Sequence, residues 1–366
     1  MSFIKDIEIY IYLFLFMIIS FLSIYKASIY LSPSLGKLYY KQIIWFILGF
    51  IVIYLIKKIN IKKLYNASFI IYLLNILLLA FLFLFGTEIN NTKAWYKIFN
   101  IYFQPSEFMK ISIILLNSYV IHKFYKNKER ITKKSEIKLF ITLILITIIP
   151  SILTFIEPDT GAIIGYFIIF FSMLYISGVN KKFIIFLFVF LGIIIISLGF
   201  IYFYQQKMFI NLFGNSLFYR IDRIINWKNK SGMQLNNSLI AIGSSGLYGH
   251  KNVPLYFPEA GTDFIFTTFS SSFGYLGSVM LLLLLFSFDL YIIDILRTIK
   301  NRENKYTLFG IVSLFLYQQV QNIGMTLGLL PITGITLPLI SYGGSSLISY
   351  FILIGIVENI KKRTYK

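Results

Sequence analysis

There is no cysteine in the 366 residues. Disulfides, thiolate zinc sites and cysteine nucleophiles are therefore excluded. Histidine is almost as scarce, with only His122 and His250, too few for a multi-histidine metal site. Charged residues make up 13% of the chain, about half the share of an ordinary soluble protein. Acidic residues are rarer still, 15 against 34 lysines and arginines, for a net charge of +19. The first apolar run is long enough to span a membrane and lacks a small-residue cleavage site, so it does not read as a cleavable signal peptide.

What fills the chain instead is hydrocarbon: 57% of the residues are hydrophobic. A membrane-spanning helix needs about 20 mostly apolar residues. On that measure the chain reads as one polytopic, all-α integral membrane domain over residues 1–366, with about ten spans. They run Ile7–Ile24, Tyr39–Ile56, Asn66–Phe85, Ser106–Ile121, Ile137–Ile156, Thr160–Ser177, Phe183–Tyr204, Asp263–Ile293, Tyr306–Leu330 and Leu337–Val357. Lysine and arginine collect in alternate loops: Lys57 to Lys63, Lys123 to Lys138, Lys181 and Lys182, Arg297 to Lys305, and the tail from Lys361 to Lys366. The positive-inside rule puts these loops, and with them both termini, in the cytoplasm. It also accounts for the net charge without nucleic acid, since no basic stripe stands outside the loops. The outward loops are then Ala27–Leu38, Gly86–Pro105, Glu157–Asp159, Gln205–Thr262 and Pro331–Thr336. Only Gln205–Thr262 is long, and its aromatics and glycines mark it as ordered and functional.

The outward loops hold the residues suited to chemistry. Asp263 stands where the turn Pro258-Glu259-Ala260-Gly261-Thr262 runs into an apolar segment, and a carboxylate there is costly unless paired or used. In Gln104-Pro105-Ser106-Glu107-Phe108-Met109-Lys110, serine and proline open a helix. Glu107 and Lys110 then share a face, either as a simple capping pair or as part of a site. Lys110 lies inside an otherwise apolar helix, where a cation needs a cavity or a partner, and Asp263 is the partner expected. Arg220 and Arg223, three apart in the long loop, offer guanidinium forks that match phosphate oxygens or anchor to lipid headgroups. Further along come Gly232 to Ser238, containing Gln234, and the glycine-rich Ala241 to Gly249. The last outward turn, Gly328 to Ser346, is rich in Gly, Pro and Ser and includes Ser341; such interrupted helices line cavities or pack tightly.

The stretches QPSEFMK, EPDTG, AIGSSGLYG, PEAGTDFIF and NIGMTLGLLPITGITLPLISYGGSS, in this order and spacing, resemble the SEDS family (shape, elongation, division and sporulation), which includes RodA and FtsW. The likeness runs from Trp95 to Ser346, and Asn322-Ile323-Gly324-Met325 is closer to the RodA branch, which serves cell elongation and rod shape. The resemblance implies a glycosyltransferase that polymerises lipid II, an undecaprenyl-diphosphate-linked precursor, into peptidoglycan strands at the outer face of the cytoplasmic membrane. It implies Asp263 as the catalytic aspartate. Glu107, Lys110, Trp95 and Asp159 fall on functional positions of the family. With Arg220, Arg223, Gln234, Glu259 and Ser341 they form the expected substrate-binding set. It also implies a class B penicillin-binding protein as transpeptidase partner, together with other membrane proteins of the elongation complex. Three positions depart from the pattern: Gly261 where histidine is common, Ser271-Ser272 where a glutamate pair is familiar, and Asn237 where a second glutamine is usual.

The chemistry needs a base for a sugar hydroxyl, positive charge for a diphosphate and a greasy groove for the tails. Asp263 suits the first; Arg220, Arg223 and Lys110 suit the second. A divalent cation would help the diphosphate, but no carboxylate cluster in the sequence demands one, and no resident cofactor is expected. Competing readings are a lipid-precursor flippase, a division polymerase of the FtsW type, and a noncatalytic scaffold.

Overall fold

The computed structural model describes residues 2–30, 38–89, 92–99, 101–126, 132–225, 233–250 and 259–364. The chain forms α1 (Ser2–Tyr30), α2 (Leu38–Lys58) and α3 (Ile61–Phe85), then the short strands β1 (Thr87–Ile89), β2 (Thr92–Ile98) and β3 (Ile101–Phe103). Next come α4 (Pro105–Lys126), α5 (Lys133–Ile156), α6 (Thr160–Ser177), α7 (Lys181–Tyr204), α8 (Gln206–Ile225) and α9 (Met233–Gly243). The last three helices are α10 (Ile265–Thr298), α11 (Arg302–Thr326) and α12 (Gly344–Thr364).

Among the described residues, seven helices are long and apolar enough to cross a membrane: most of α1, then α2, α3, α5, α6, α10 and most of α12. Their outer faces carry bare apolar side chains such as Ile44, Leu74, Ile152 and Leu283. Such surface is tolerable only in lipid, so the chain is a multi-pass membrane protein. The expected count of about ten exceeds this set, and α4 and α11 explain much of the gap. α11 packs on α4 and α6, and α4 on α3. Both helices are buried along most of their length and carry buried polar groups, Asn117 and Ser118 on α4, Thr307 and Asn322 on α11. A helix wrapped by other helices can hold polar groups that a lipid-facing helix cannot.

The lysine-rich turns gather at one end of the bundle. There Asn359 of α12 donates to the carbonyls of Ile56 and Ile59, and Arg363 reaches Asn60. Thr307 of α11 bonds Ser118 of α4, and Tyr65 of α3 bonds Thr307.

The other end departs from the sequence reading in three places. The expected loop Gly86–Pro105 is a three-stranded antiparallel meander with Thr87 opposite Trp95 and Tyr96 opposite Phe103. It is a small β element on an otherwise helical protein. The ninth span, expected to reach Leu330, stops at Thr326, and the tenth starts at Gly344 instead of Leu337. Between them the chain runs non-helically, with Gly328 and Gly334 in the left-handed region. Pro331 and Pro338 deny this segment helical hydrogen bonds. Finally, α10 breaks at Gly274. The turn after α9 inserts at that break: Tyr275 N–H donates to the Gly246 carbonyl and His250 N–H to the Ser271 carbonyl. A Cβ on Gly249 would collide with the backbone of Ser272, and one on Gly274 with the backbone of Gly249. The glycines of Ala241 to Gly249 therefore serve a close backbone crossing.

Candidate active site

Asp263 lies in the turn from Glu259 to Phe264, just before α10. The turn is closed by Thr262 N–H and Phe264 N–H donating to the Glu259 carbonyl, and by the Thr262 hydroxyl donating to the Glu259 carboxylate at 2.6 Å. The non-helical 327–343 segment lies against this turn. Ser341 Oγ donates to the Thr262 carbonyl at 2.7 Å, Tyr342 N–H to the Gly261 carbonyl at 2.8 Å. Asn322 Nδ2 donates to both the Asp263 carbonyl (2.8 Å) and the Ile335 carbonyl (2.7 Å), stitching the two segments together. Glu259 and Leu339 both hold positive φ, 58° and 65°. Non-glycine residues accept that conformation only where the surroundings impose it, and such positions gather at functional sites.

The backbone around Asp263 is thus fixed from several sides, while its carboxylate is not. Among the described residues no hydrogen bond or ion pair engages it. It faces Gly334, where a methyl group would sit 3.4 Å from Oδ2. Burial, and after it the negative charges of Glu259 and Asp159, push this carboxyl up from 3.8 to about 7.

The expected ion pair between Lys110 and Asp263 is not formed. Lys110 Nζ donates instead to Glu107 Oε1 at 2.7 Å, with both side chains nearly enclosed. The reason is local. Glu107 sits one turn away on the same helix, so the pair forms without a long-range constraint, and a buried ammonium cannot wait for a distant partner. Ser349 of α12 donates to the other oxygen of Glu107, which ties the pair to the last helix.

Asp159 caps α6 by accepting from Ala162 N–H at 3.0 Å. Its other oxygen accepts from Gln104 Nε2 (3.0 Å) and Ser106 Oγ (2.9 Å). Next to it, Gly161 lets α6 approach the Thr333 carbonyl and Ile335, where a Cβ would clash. So the start of α6 beside Asp159 and the Asp263 turn meet around the 333–342 segment, while the Glu107–Lys110 pair is tied to α12. Ser345 of α12 extends the cluster, donating to the Tyr102 carbonyl and accepting from Gln104 N–H.

Other expected site residues stand apart. Trp95 is half-buried on β2, its carbonyl accepting from Thr87 Oγ1. Gln234 is half-buried on α9, whose anchor is Ser238, bonded to Thr267 and to the Thr326 carbonyl. Glu259 is exposed and bonded to Thr262. Arg220 and Arg223 fall on α8, and their side chains lie outside the described residues. At the departures, Ser271 and Ser272 leave buried hydroxyls without hydrogen-bond partners among the described residues. Gly261 spends its carbonyl on Tyr342.

Sequence reasoning missed Asn322 and Gln104 as organisers. Both lie inside quoted motifs, but a side-chain amide gives no sign in sequence of which carbonyl or carboxylate it will meet. Among the described residues no group of three or more His, Asp or Glu side chains is placed to hold a metal ion.

A family model described as cell cycle protein, covering FtsW, RodA and SpoVE, matches residues 7–366. A probable peptidoglycan glycosyltransferase FtsW of Wigglesworthia glossinidia brevipalpis is 33% identical over 93% of this chain and 89% of its own length. Peptidoglycan glycosyltransferase MrdB of Helicobacter pylori is 31% identical over 97% of this chain and 89% of its own. A chain in a solved peptidoglycan synthase complex that coordinates polymerization and crosslinking shares the fold, with a TM-score of 0.78 at 22% identity over 97% of both chains. On the match across residues 7–366 and these relatives, the chain belongs to the FtsW/RodA/SpoVE family, known also as the SEDS family.

Proposed function

We propose that this protein is a peptidoglycan glycosyltransferase that polymerises lipid II, with Asp263 as its general base. Relatives above 30% identity carry that activity in their names. The observation that carries the residue assignment is the contrast at Asp263: a backbone held by Asn322 and flanked by Ser341, and a carboxylate left without a partner among the described residues. A fixed, unneutralised carboxylate whose proton affinity lies near neutrality is suited to accept a proton from a sugar hydroxyl.

In this reading an acceptor hydroxyl attacks the anomeric carbon of the donor. The new C–O bond forms, the bond from that carbon to the diphosphate oxygen breaks, the hydroxyl proton passes to Asp263, and the polyprenyl diphosphate departs with the bonding pair. Arg220 and Arg223 supply positive charge to the leaving group. The Glu107–Lys110 pair and Asp159 shape the polar floor on which the sugars rest. Orientation follows the basic turns, which face the cytoplasm and leave the Asp263 end at the outer face of the cytoplasmic membrane.

Elongation is the role favoured, on Asn322-Ile323-Gly324-Met325; relatives named FtsW and MrdB match almost equally, so division is the alternative. A class B penicillin-binding protein is the proposed partner, supported by the fold shared with a chain of a complex that couples polymerization to crosslinking.

The test is purified protein with lipid II, native against Asp263→Asn, read as glycan strands on a gel. Strands from the native protein and almost none from the variant support the reading. Lipid II moved across vesicles without polymer would replace it with the flippase.

A further inference from the structure

The strand meander ends in an apolar tip that, among the described residues, no part of the chain covers. The β2–β3 hairpin turns at Phe99, which is 92% exposed and holds a φ of 53°. Tight hairpin turns that need positive φ are readily built with glycine or asparagine. A phenylalanine there carries a backbone cost and bares a ring. Its neighbours repeat the pattern. Ile98 pairs with Ile101 and Lys97 with Tyr102, and the two isoleucines and the tyrosine are all exposed. Contiguous bare hydrocarbon of this kind marks a surface that something covers.

The depth of the hairpin identifies the cover. α3 is one of the helices long and apolar enough to cross the membrane. The Tyr96 hydroxyl of β2 donates to the Leu78 carbonyl at 2.6 Å. Leu78 lies about two turns inside the end of α3, roughly 10 Å below Phe85. Leu84 and Phe85, above that level, are 74% and 67% exposed, so the lipid-facing surface of α3 continues to its last turn. A tyrosine side chain is shorter than that drop, and β2 therefore runs alongside α3 at the level of the outer leaflet. The hairpin is braced there. Tyr96 stacks on Phe103, Phe103 stacks on Phe108 of α4 with ring centres 4.8 Å apart, and Ser345 of α12 holds the Tyr102 carbonyl. One rung from the tip, exposed Lys97 and Tyr102 form the pairing suited to a membrane interface: the lysine stem lies in hydrocarbon and its ammonium reaches the phosphates.

We propose that the β2–β3 hairpin inserts its tip, with Ile98, Phe99 and Ile101, into the outer leaflet of the membrane. Phe99 is the apolar wedge and Lys97 sits at the level of the phosphates. The hairpin runs straight into Gln104, whose amide holds Asp159. Insertion thus fixes the depth of that edge of the site in the leaflet that presents a lipid-carried substrate. This consequence rests on the proposed activity; the insertion itself does not.

The chain has no cysteine, so single labels can be placed cleanly. The full-length protein is reconstituted in lipid nanodiscs without any other protein, with bimane at Phe99→Cys or, as the water reference, at Lys134→Cys on the exposed start of α5. A nitroxide-bearing phospholipid should quench the Phe99→Cys label, and iodide should lose most of the quenching it shows at Lys134→Cys. A second set of variants keeps the wild-type tip as its starting point. Bimane at Ile101→Cys should gain iodide quenching when Phe99→Asp is added, because a carboxylate is costly in the leaflet, and should not when Phe99→Leu is added. Iodide quenching at Phe99→Cys equal to that at Lys134→Cys, with none from the lipid, would overturn the proposal. So would a Phe99→Cys label shielded from both quenchers, which would make the tip a contact between copies of the chain. Phe99→Asp without effect on the Ile101→Cys label would overturn it as well. None of these readouts depends on polymerisation, so the result stands apart from the assignment of Asp263.

Discussion

Two carboxylates at opposite ends of the bundle, Glu358 enclosed and Asp263 half-buried, are treated in opposite ways. Glu358, at the lysine-rich end, is met by Lys57 at 3.4 Å, Lys361 at 3.6 Å and the Tyr291 hydroxyl at 2.8 Å. Lys361 also donates to Tyr291, closing the network. Asp263, at the other end, has its main chain held by Asn322, and among the described residues nothing neutralises its side chain. A carboxylate saturated by cations and donors fixes helices in place. One that is fixed through its backbone alone is left to accept a proton. The Glu107–Lys110 pair stands between these extremes, neutralised within its own helix and tied to α12 through Ser349.

The largest expected effect separates the two carboxylates most sharply. Asp263→Asn should lower lipid II polymerisation by roughly 10²–10⁴-fold, the range of general-base catalysis. Folding should not suffer. Because the native carboxyl titrates near 7 folded and near 3.8 unfolded, its contribution to stability is full below 3.8 and is lost as pH rises to about 7. Above that pH the asparagine variant should melt at the same temperature or higher. Glu358→Ala should do the reverse. It strands Lys57 and Lys361, costs about 3–5 kcal/mol in detergent denaturation, and leaves the rate per folded molecule intact.

Gly334→Ala sharpens the contrast from a neighbouring position. Its φ of +70° is strained for alanine, and its methyl would face Asp263. The backbone cost is about 1–2 kcal/mol, so a fall in turnover that exceeds the fall in stability would place the damage at the carboxylate. The smallest effect is expected from Arg297→Ala. Its pair with Asp294 is exposed on both sides, and its loss should register within roughly 0–1 kcal/mol, in line with a purely superficial ion pair.

The helical membrane fold was legible in the apolar runs, and the ends of its helices less so. Asp263 and Ser341 could be picked out because charge and small polar residues are conspicuous beside apolar runs. The lysine-rich turns could be read because each lies between hydrocarbon stretches. The helix ends around 327–343 were misjudged since Leu327, Leu329 and Leu330 on one side, and Leu337 and Ile340 on the other, prolong apolar runs that the left-handed Gly328 and Leu339 interrupt. The strand meander escaped notice because three-residue strands leave too short an alternation to see. The partner of Lys110 was misassigned because sequence ranks Asp263 and Glu107 as equally acidic, and only the helix geometry puts Glu107 within 2.7 Å. Asn322 acts through long-range neighbours, the Asp263 turn and the 335 segment, which no local pattern encodes.

The pH dependence of lipid II polymerisation at saturating substrate tests the central claim most directly. If Asp263 is the base, the rate should rise about tenfold per pH unit on the acid side and level off above about 7, and the residual rate of Asp263→Asn should lack that rising limb. A native profile that is flat across about pH 5 to 9, or an asparagine variant that polymerises at the native rate, would contradict it.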